Sequence, residues 1–186
     1  MQFGERIFGE DAQDMIETFG QYGFKELDTA YVYNDGESER LIGEALENLN
    51  QPFSISTKVS PRITGKLDGE AVEMQFSQSL KRMKQDHVDI LYLHFPDPNT
   101  PVYSALEACS QLYNEGKIRE LGLSNFPTWL VSEVYNICKK HGWILPTVYE
   151  GLYNPLSRNA ERELDKALDY YGIRFNAYNP LAGGLM

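Results

Sequence analysis

Short apolar segments alternate with amphipathic segments of helical period along the chain, and this alternation limits the folds that the chain can adopt. FKELDT at 24–29 is a short strand, and ESERLIGEALENL at 37–49 then repeats aliphatic residues at the spacing of one helix face. Strict alternation of this kind is typical of parallel strands joined by crossover helices. The sequence therefore predicts an α/β fold, and its 186 residues suit a single domain that covers 1–186.

The same pattern predicts the other elements. Predicted strands cover 24–29, 53–58, 87–94, 117–125, 146–151 and 172–178. Predicted helices cover 10–22, 37–49, a segment that includes Val72 and Met83, a segment that starts near Pro101, and then 127–141 and 158–171. MQF at 1–3 is interpreted as the tail of an earlier strand.

Two architectures are compatible with this alternation, the open doubly wound sheet and the closed barrel. The open sheet usually carries G-x-G-x-x-G after its first strand; the chain lacks that motif, and its closest glycine cluster is Ala182-Gly183-Gly184. The predicted strands end in polar or ionisable residues, namely Asp28, Lys58, His94, Asn125, Glu150 and Tyr178. Because all strand ends of a parallel barrel open onto the face that holds the active site, the sequence favours the barrel.

Charge and composition argue against several classes of function. Lysine and arginine total 17 against 27 acidic residues, a net charge of −10, so no nucleic-acid partner is expected. No apolar run approaches the ~18 residues of a membrane span, and the charged first residues do not resemble a secretory signal. Cys109 and Cys138 fall on predicted helices without metal-ligand spacing. A cytoplasmic protein with reduced thiols, no metal and no membrane contact is expected.

Asp28, Tyr33, Lys58 and His94 form the candidate catalytic group. A lysine ammonium within roughly 4–6 Å of a phenol would lower its pKa from about 10 by about 1–3 units, so Lys58 could activate Tyr33. Asp28 ends the strand next to that of Lys58 and is the expected counter-charge. His94 could donate an N–H that positions a carbonyl oxygen. A phenolic acid with a carbonyl holder, and neither metal nor thiol, indicates reduction of an aldehyde or ketone.

Each of these residues also has a purely structural interpretation. A strand-end Asp often caps a helix, and a Tyr in a loop usually packs on the core. Lysine at the end of an apolar strand is uncommon unless it is paired, which makes Lys58 the most specific of the four signals.

The segments LDTAYVYNDGESE, ISTK, YLHFPD and LGLSN resemble the aldo-keto reductases, most closely the subgroup of aflatoxin-aldehyde and succinic-semialdehyde reductases. The resemblance runs over 1–186 and includes HGWILPTVYEGLYN and AYNPLAGGL. It implies a (β/α)₈ TIM barrel that reduces aldehydes by hydride transfer from NADPH. It implies Tyr33 as general acid, activated by Lys58. The resemblance also implies that Asp28 pairs with Lys58 and that His94 orients the substrate carbonyl.

The resemblance also implies a cofactor site. Ser124 and Asn125 would hydrogen-bond the nicotinamide carboxamide with the help of residue 150, and the ring of Tyr178 would stack on the nicotinamide. The pyrophosphate would be lined by Asn179, Pro180, Leu181, Ala182, Gly183 and Gly184, and Asp28 is counted with the cofactor-binding residues.

The sequence departs from this family at two points. The family commonly has Gln where this chain has Glu150, and a carboxylate accepts hydrogen bonds but does not donate them. The chain is also expected to be truncated before the eighth strand, without the last helices, the groups for the adenosine 2′-phosphate and the substrate loop. An incomplete barrel would expose strand edges.

Three functions are left open by the sequence. The first is NADPH-dependent reduction of dialdehydes or semialdehydes. The second is a non-catalytic regulatory or binding protein on the same scaffold, and the third is an inactive truncated chain. The oligomeric state is also open, although the subgroup favours a homodimer.

Overall fold

A computed structural model describes residues 2–186 of the chain. Within these residues, six strands form one parallel sheet in the order β1-β2-β3-β4-β5-β6. The strands are β1 Glu26–Asp28, β2 Ser54–Val59, β3 Val88–Leu93, β4 Ile118–Ser124, β5 Pro146–Leu152 and β6 Arg174–Tyr178. The helices are α1 Gly9–Gln21, α2 Glu37–Asn48, α3 Pro61–Thr64, α4 Gly69–Met83, α5 Tyr103–Asn114, α6 Thr128–His141 and α7 Leu164–Tyr171. Short 3₁₀ turns cover Asn159–Glu161 and Ala182–Gly184.

The sheet is strongly curved, as a barrel requires. Lys58 Nζ on β2 lies 3.4 Å from Glu150 Oε2 on β5, and Asn176 Nδ2 on β6 donates to Tyr92 Oη on β3 over 3.3 Å. In a flat sheet, strands three places apart would be separated by about 14 Å, since neighbouring strands are about 4.8 Å apart. Side chains of distant strands therefore meet inside a half-barrel, and the predicted parallel β/α architecture of the barrel type is confirmed.

The main hydrophobic core lies between the sheet and the surrounding helices. Because successive side chains of a strand point to opposite faces, every second residue of β3 and β4 belongs to this core. These residues are Leu91, Leu93, Leu121 and Leu123, and they join Phe76, Leu106 and Val131 from α4, α5 and α6. Burial of each leucine contributes roughly 1.5–3 kcal/mol relative to exposure.

The alternate residues of the strands fill the inside of the half-barrel. Ile90 and Tyr92 of β3 contact Val148 of β5 in a separate apolar cluster. The Tyr92 ring occupies the space beside Gly122 of β4, where an added Cβ would come within 2.3 Å of the ring. This apolar layer lies next to Lys58, whose Nζ is 5.4 Å from the Tyr92 ring centroid.

The predicted helix at 158–171 is interrupted in the structure. A 3₁₀ turn covers Asn159–Glu161, and α7 begins only at Leu164. Glu163 has φ −139°, outside the helical region, and Glu161 is held in the turn by an ion pair with Arg158. Local charge pairing therefore competes with helix formation here, and the prediction was wrong for the first turn.

The predicted strand tail at 1–3 is also not observed as a strand. Met1 lies outside the described residues, and Phe3 forms an isolated bridge with Ile7 around a turn at Gly4, which has φ 83°. The turn is closed by the bond from Gly4 N to Ile7 O over 3.0 Å.

The two cysteines are packing residues, as predicted. Cys109 and Cys138 are free and fully buried in the main core, and burial raises the pKa of each thiol to about 12. Within residues 2–186, no helix is both long and apolar enough to cross a bilayer.

Candidate active site

Lys58 is the centre of a polar cluster inside the half-barrel. Its side chain is fully buried, and its ammonium donates to the Asp28 carboxylate and to Thr29 O over 3.1 Å. Burial by itself lowers the pKa of Lys58, but the charges of its neighbours, Asp28 first among them, outweigh burial and hold the pKa above its ordinary value. Lys58 is therefore a permanent cation in a dry environment.

Asp28 lies at the last position of β1, beside the strand that carries Lys58. The register places Asp28 level with Ser56 of β2, and the Ser56 hydroxyl donates to Asp28 Oδ1 over 2.8 Å. The Asp28 side chain is 44% exposed, whereas that of Lys58 is 0% exposed. Asp28 thus forms the expected ion pair and connects the buried ammonium to solvent.

Tyr33 lies in the loop between β1 and α2. Asn34 and Asp35 follow it with φ values of 56° and 53°, a left-handed conformation that these two residue types tolerate. The tight turn brings the Tyr33 ring centroid to 5.0 Å from Lys58 Nζ. The His94 ring is nearly perpendicular to the Tyr33 ring, with centroids 6.0 Å apart.

The pKa of Tyr33 differs from the expected direction. Burial raises it, the charge of Lys58 lowers it, and the charges of Asp28 and Glu150 raise it again, so the pKa lies above its ordinary value. Lys58 lowers the Tyr33 pKa as predicted, but burial together with the carboxylates of Asp28 and Glu150 outweighs this effect. Tyr33 is therefore a protonated phenol at neutral pH.

A buried ion pair behind this loop was missed by the sequence reasoning. Glu39 of α2 is fully buried and accepts hydrogen bonds from Thr57 Oγ1 and Arg82 Nε, each over 2.6 Å. The Arg82 guanidinium also lies over the Tyr31 ring, 4.8 Å from its centroid. Because Tyr31 belongs to the β1–α2 loop and Thr57 to β2, the pair ties the loop to the strand.

His94 follows β3, and its backbone N–H donates to Val59 O over 2.9 Å. Burial, with the charges of Lys58 and Arg62, lowers the pKa of His94 to about 3, so the imidazole is neutral at physiological pH. Its Nδ1 is buried without a hydrogen-bond partner among residues 2–186. Since no group accepts a hydrogen bond from Nδ1, the proton is better placed on Nε2, which leaves an N–H donor for a ligand.

Glu150 of β5 is a second carboxylate beside Lys58, and its side chain is 10% exposed. Burial raises the pKa of Glu150 to about 7; the charge of Lys58 opposes this effect, and the charge of Asp28 adds to it. An ammonium normally lowers the pKa of its carboxyl partner. Here the ammonium is already paired with Asp28, so it compensates the second carboxylate incompletely.

Ser124, Asn125 and Tyr178 form a hydrogen-bonded chain beside His94. Asn125 Nδ2 donates to Ser124 Oγ and to His94 O, each over 3.0 Å. Tyr178 Oη donates to Asn125 Oδ1 over 2.9 Å. The two amide donors of Asn125 are thus already used, so a nicotinamide carboxamide would have to bind at its remaining acceptor capacity or replace one of these bonds.

A cavity of about 630 Å³ opens among these residues. It is lined by Asp28, Val32, Tyr33, Arg62, His94, Phe95, Asn125, Glu150, Tyr178 and Asn179. Val32, Arg62 and Phe95 were missed as site residues. Arg62 Cζ lies 3.7 Å from the Phe95 ring centroid, and Phe95 stacks on His94 with centroids 4.6 Å apart. In the sequence they lie close to Tyr33, Lys58 and His94, and this proximity could have indicated that they belong to the site.

The segment after β6 lies mostly beyond this cavity. Asn179 lines it, and Asn179 Oδ1 accepts from Gly183 N over 2.7 Å. Outside the lining lie Pro180, Leu181, Ala182, Gly183 and Gly184. Apart from the chain neighbours of each glycine, no atom among residues 2–186 lies within 4 Å of a Cβ built on Gly183 or Gly184, so this turn leaves room for a ligand.

A larger cavity of about 740 Å³ lies between the β3–α5 loop and α6. Its walls combine proline and aromatic side chains, including those of Tyr103 and Trp129, with aliphatic and polar ones. Of its two carboxylates, that of Asp97 already accepts hydrogen bonds from the backbone N–H groups of Leu67 and Asn99, each over 2.9 Å. The cluster around Lys58, which combines an acid, a cation and an unpaired imidazole nitrogen, is the better candidate for chemistry.

Comparison with known proteins adds independent information. The sequence model of the Aldo/keto reductase family matches residues 1–186. The rat protein Aflatoxin B1 aldehyde reductase member 2 is 46% identical over 189 residues, which cover 100% of this chain and 52% of that protein. Human Aldo-keto reductase family 7 member A3 is 43% identical over 189 residues, which cover 100% of this chain and 57% of that protein. The chain thus spans about half the length of these relatives.

Proposed function

Because this chain belongs to the aldo/keto reductase family, we propose that its site supports reduction of an aldehyde to an alcohol by NADPH, with Tyr33 as general acid. One observation carries the proposal. Asp28, Tyr33 and His94 line one cavity, and Lys58, from the strand between those of Asp28 and His94, pairs with Asp28 and lies 5.0 Å from the Tyr33 ring centroid.

The relatives support the aldehyde as substrate class. Proteins from rat, mouse and human that are 43–46% identical to this chain carry the name aflatoxin B1 aldehyde reductase. Among aldehydes, the dialdehydes and semialdehydes that the sequence resemblance implies are the substrates to test first. These names do not favour the alternative of a non-catalytic binding protein.

The residues present fit a nicotinamide cofactor at its ring end. The Tyr178 ring and the Asn125 amide line the cavity, and the backbone around Gly183 and Gly184 is open to approach. An aromatic face and an amide suit a flat carboxamide-bearing ring. The bound dihydronicotinamide would supply the hydride that reduces the carbonyl carbon.

The protein's own groups handle the proton and the oxygen. Neutral His94 donates its Nε2–H to the substrate carbonyl oxygen and holds it near the Tyr33 phenol. Tyr33 then gives its proton to that oxygen as negative charge develops there. The permanent cation of Lys58 stabilises the resulting phenolate, while Asp28 keeps the ammonium in place.

Replacement of Tyr33 by Phe tests the role of the acid. Tyr33→Phe should lower kcat for succinic semialdehyde by roughly 10²–10⁴-fold, the usual contribution of a general acid. The dissociation constant for NADPH, measured by fluorescence titration, should change by less than about 2-fold, because the ring is kept. The matched control is Tyr170→Phe, since Tyr170 is exposed on α7.

Turnover of Tyr33→Phe at the wild-type rate would overturn the assignment of the acid. Absence of both NADPH binding and turnover in the wild-type chain would support the alternative of an inactive chain. A cytoplasmic location, a homodimer and NADPH rather than NADH belong to the same proposal, and they are checked by fractionation, by sedimentation and by parallel titration of both cofactors.

A further inference from the structure

Asp28 and Glu150 share the single ammonium of Lys58 in the candidate active site. Lys58 Nζ is paired with the Asp28 carboxylate, and Glu150 Oε2 lies 3.4 Å from the same nitrogen. With Asp28 and Lys58 neutralising each other, an ionised Glu150 gives the cluster one net negative charge. An amide at this position would leave the cluster neutral, so residue 150 sets the charge of the site.

The other groups around Glu150 do not cancel this charge. The phenols that face it are Tyr33 of the β1–α2 loop, Tyr92 of β3 and Tyr178 of β6, whose pKa values are raised by burial and further by Glu150. His94 is a neutral imidazole with a pKa of about 3. Arg62, a cation of the cavity lining, stacks on Phe95 and is not among the charges that shift the pKa of Glu150. On β4, the uncharged Ser124 is level with Glu150 in the register, and the uncharged Asn125 follows it.

Glu150 also lines the cavity in which a nicotinamide ring would lie. Asn125 and Tyr178, the residues suited to the ring, line the same cavity. The ring of the oxidised cofactor carries a positive charge, whereas the dihydronicotinamide ring is neutral. A buried negative charge attracts the oxidised, positively charged ring but not the neutral dihydronicotinamide ring. The attraction is strong because water screens a buried charge poorly.

We propose that Glu150 is a specificity-determining residue for the oxidation state of the cofactor, and that its carboxylate favours binding of NADP⁺ over NADPH. The inference rests on the proposed function, because it requires a nicotinamide ring in this cavity. It concerns discrimination between two forms of the cofactor, not the proton transfer itself. Because the carboxyl titrates near pH 7, the preference is present in alkaline solution and weak in mildly acidic solution.

The test measures dissociation constants for NADP⁺ and NADPH by calorimetry on the wild-type chain and on Glu150→Gln. At about pH 8.5, the ratio of the two constants should favour NADP⁺ at least ~10-fold more in the wild type than in the variant. At about pH 6, where Glu150 is mostly protonated, the wild-type ratio should approach that of the variant. The 2′-phosphate is common to both ligands, so its own titration cancels in the ratio.

A second probe pair isolates the ring. 1-Methylnicotinamide is a cation and nicotinamide is neutral, and their binding is followed by saturation-transfer NMR under the same conditions. Glu150→Gln should weaken the binding of 1-methylnicotinamide and leave the binding of nicotinamide unchanged. The control Glu107→Gln makes the same chemical change on the exposed side of α5 and should leave all ratios unchanged.

The possible results separate the two proposals. Equal ratios in the wild type and Glu150→Gln, with both cofactors bound and Tyr33-dependent turnover present, overturn the role of Glu150 and leave the proposed function standing. Failure of the wild-type chain to bind either cofactor and either ring probe overturns both. The comparison of the wild-type chain at the two pH values stands even if Glu150→Gln does not fold.

Discussion

Lys58 Nζ lies 5.0 Å from the centroid of the Tyr33 ring while its ammonium is paired with Asp28. The cation is therefore held beside the phenol by a partner at the end of the next strand. The phenol nevertheless keeps a raised pKa, since burial outweighs the charge of Lys58. The arrangement keeps Tyr33 protonated at rest and places a positive charge where a phenolate would form.

Removal of this charge should affect chemistry more than binding. Lys58→Met keeps a long unbranched side chain and removes the ammonium, so the phenolate loses its stabilising cation. Turnover of an aldehyde should fall by at least ~10²-fold, and the pKa of Tyr33 should rise further. Steady-state kinetics and a phenol titration by ultraviolet absorbance measure these effects. Lys139→Met on the exposed side of α6 is the control, and unchanged kinetics in Lys58→Met would refute the role of Lys58.

Glu150 should make the fold less stable as pH rises. Its folded pKa of about 7 exceeds the ordinary value of 4.5, so the folded state binds more protons than the unfolded state between these values. The free energy of unfolding of the wild type therefore falls as pH rises from 4.5 to 7. Relative to the wild type, Glu150→Gln should be more stable at alkaline pH than at pH 4.5 by up to about 3 kcal/mol. Urea unfolding at a series of pH values measures the difference. A constant difference across the window would contradict the raised pKa.

His94 should have the opposite effect on stability. Its pKa of about 3 lies below the ordinary 6.5, so the unfolded state binds the extra proton and stability falls as pH drops below 6.5. His94→Asn should flatten this dependence by at most about 1.4 kcal/mol per pH unit, the limit for one proton. In the wild type, the NMR signals of the His94 ring should not titrate between about pH 5 and 8. A midpoint in that range would show that the imidazole is not neutral.

The Arg82–Glu39 pair should stabilise the loop that carries Tyr33. Arg82→Met leaves Glu39 buried without its cation, which typically costs about 3–5 kcal/mol when such a pair is broken. The double variant Arg82→Met, Glu39→Gln should recover part of this loss, because no buried charge then remains unpaired. Chemical denaturation of the wild type, the single variant and the double variant measures the loss and its recovery. Equal stability of the single variant and the wild type would show that the pair does not contribute.

The sequence predicted which polar side chains lie together at the strand ends. Apolar strands that end in Asp28, Lys58 and His94 fix three polar groups at one edge of a parallel sheet, because strand and helix alternate with a regular period. The same reasoning placed Asn125 and Glu150 at that edge, and the cavity includes both. It did not reveal that the Asn125 amide is already bonded to Ser124, His94 and Tyr178.

The alternation of strand and helix, readable along the chain, thus determined the fold class and the order of polar groups at the strand ends. Only the tertiary structure decided which of these groups meet. Curvature of the sheet brings Glu150 of β5 to Lys58 of β2, and burial, rather than the charge of Lys58, sets the direction of the Tyr33 pKa. The buried pairing of Glu39 with Arg82 depends likewise on helix packing. Contacts across a curved sheet and the loss of water around a group are long-range properties, and spacing along the sequence does not encode them.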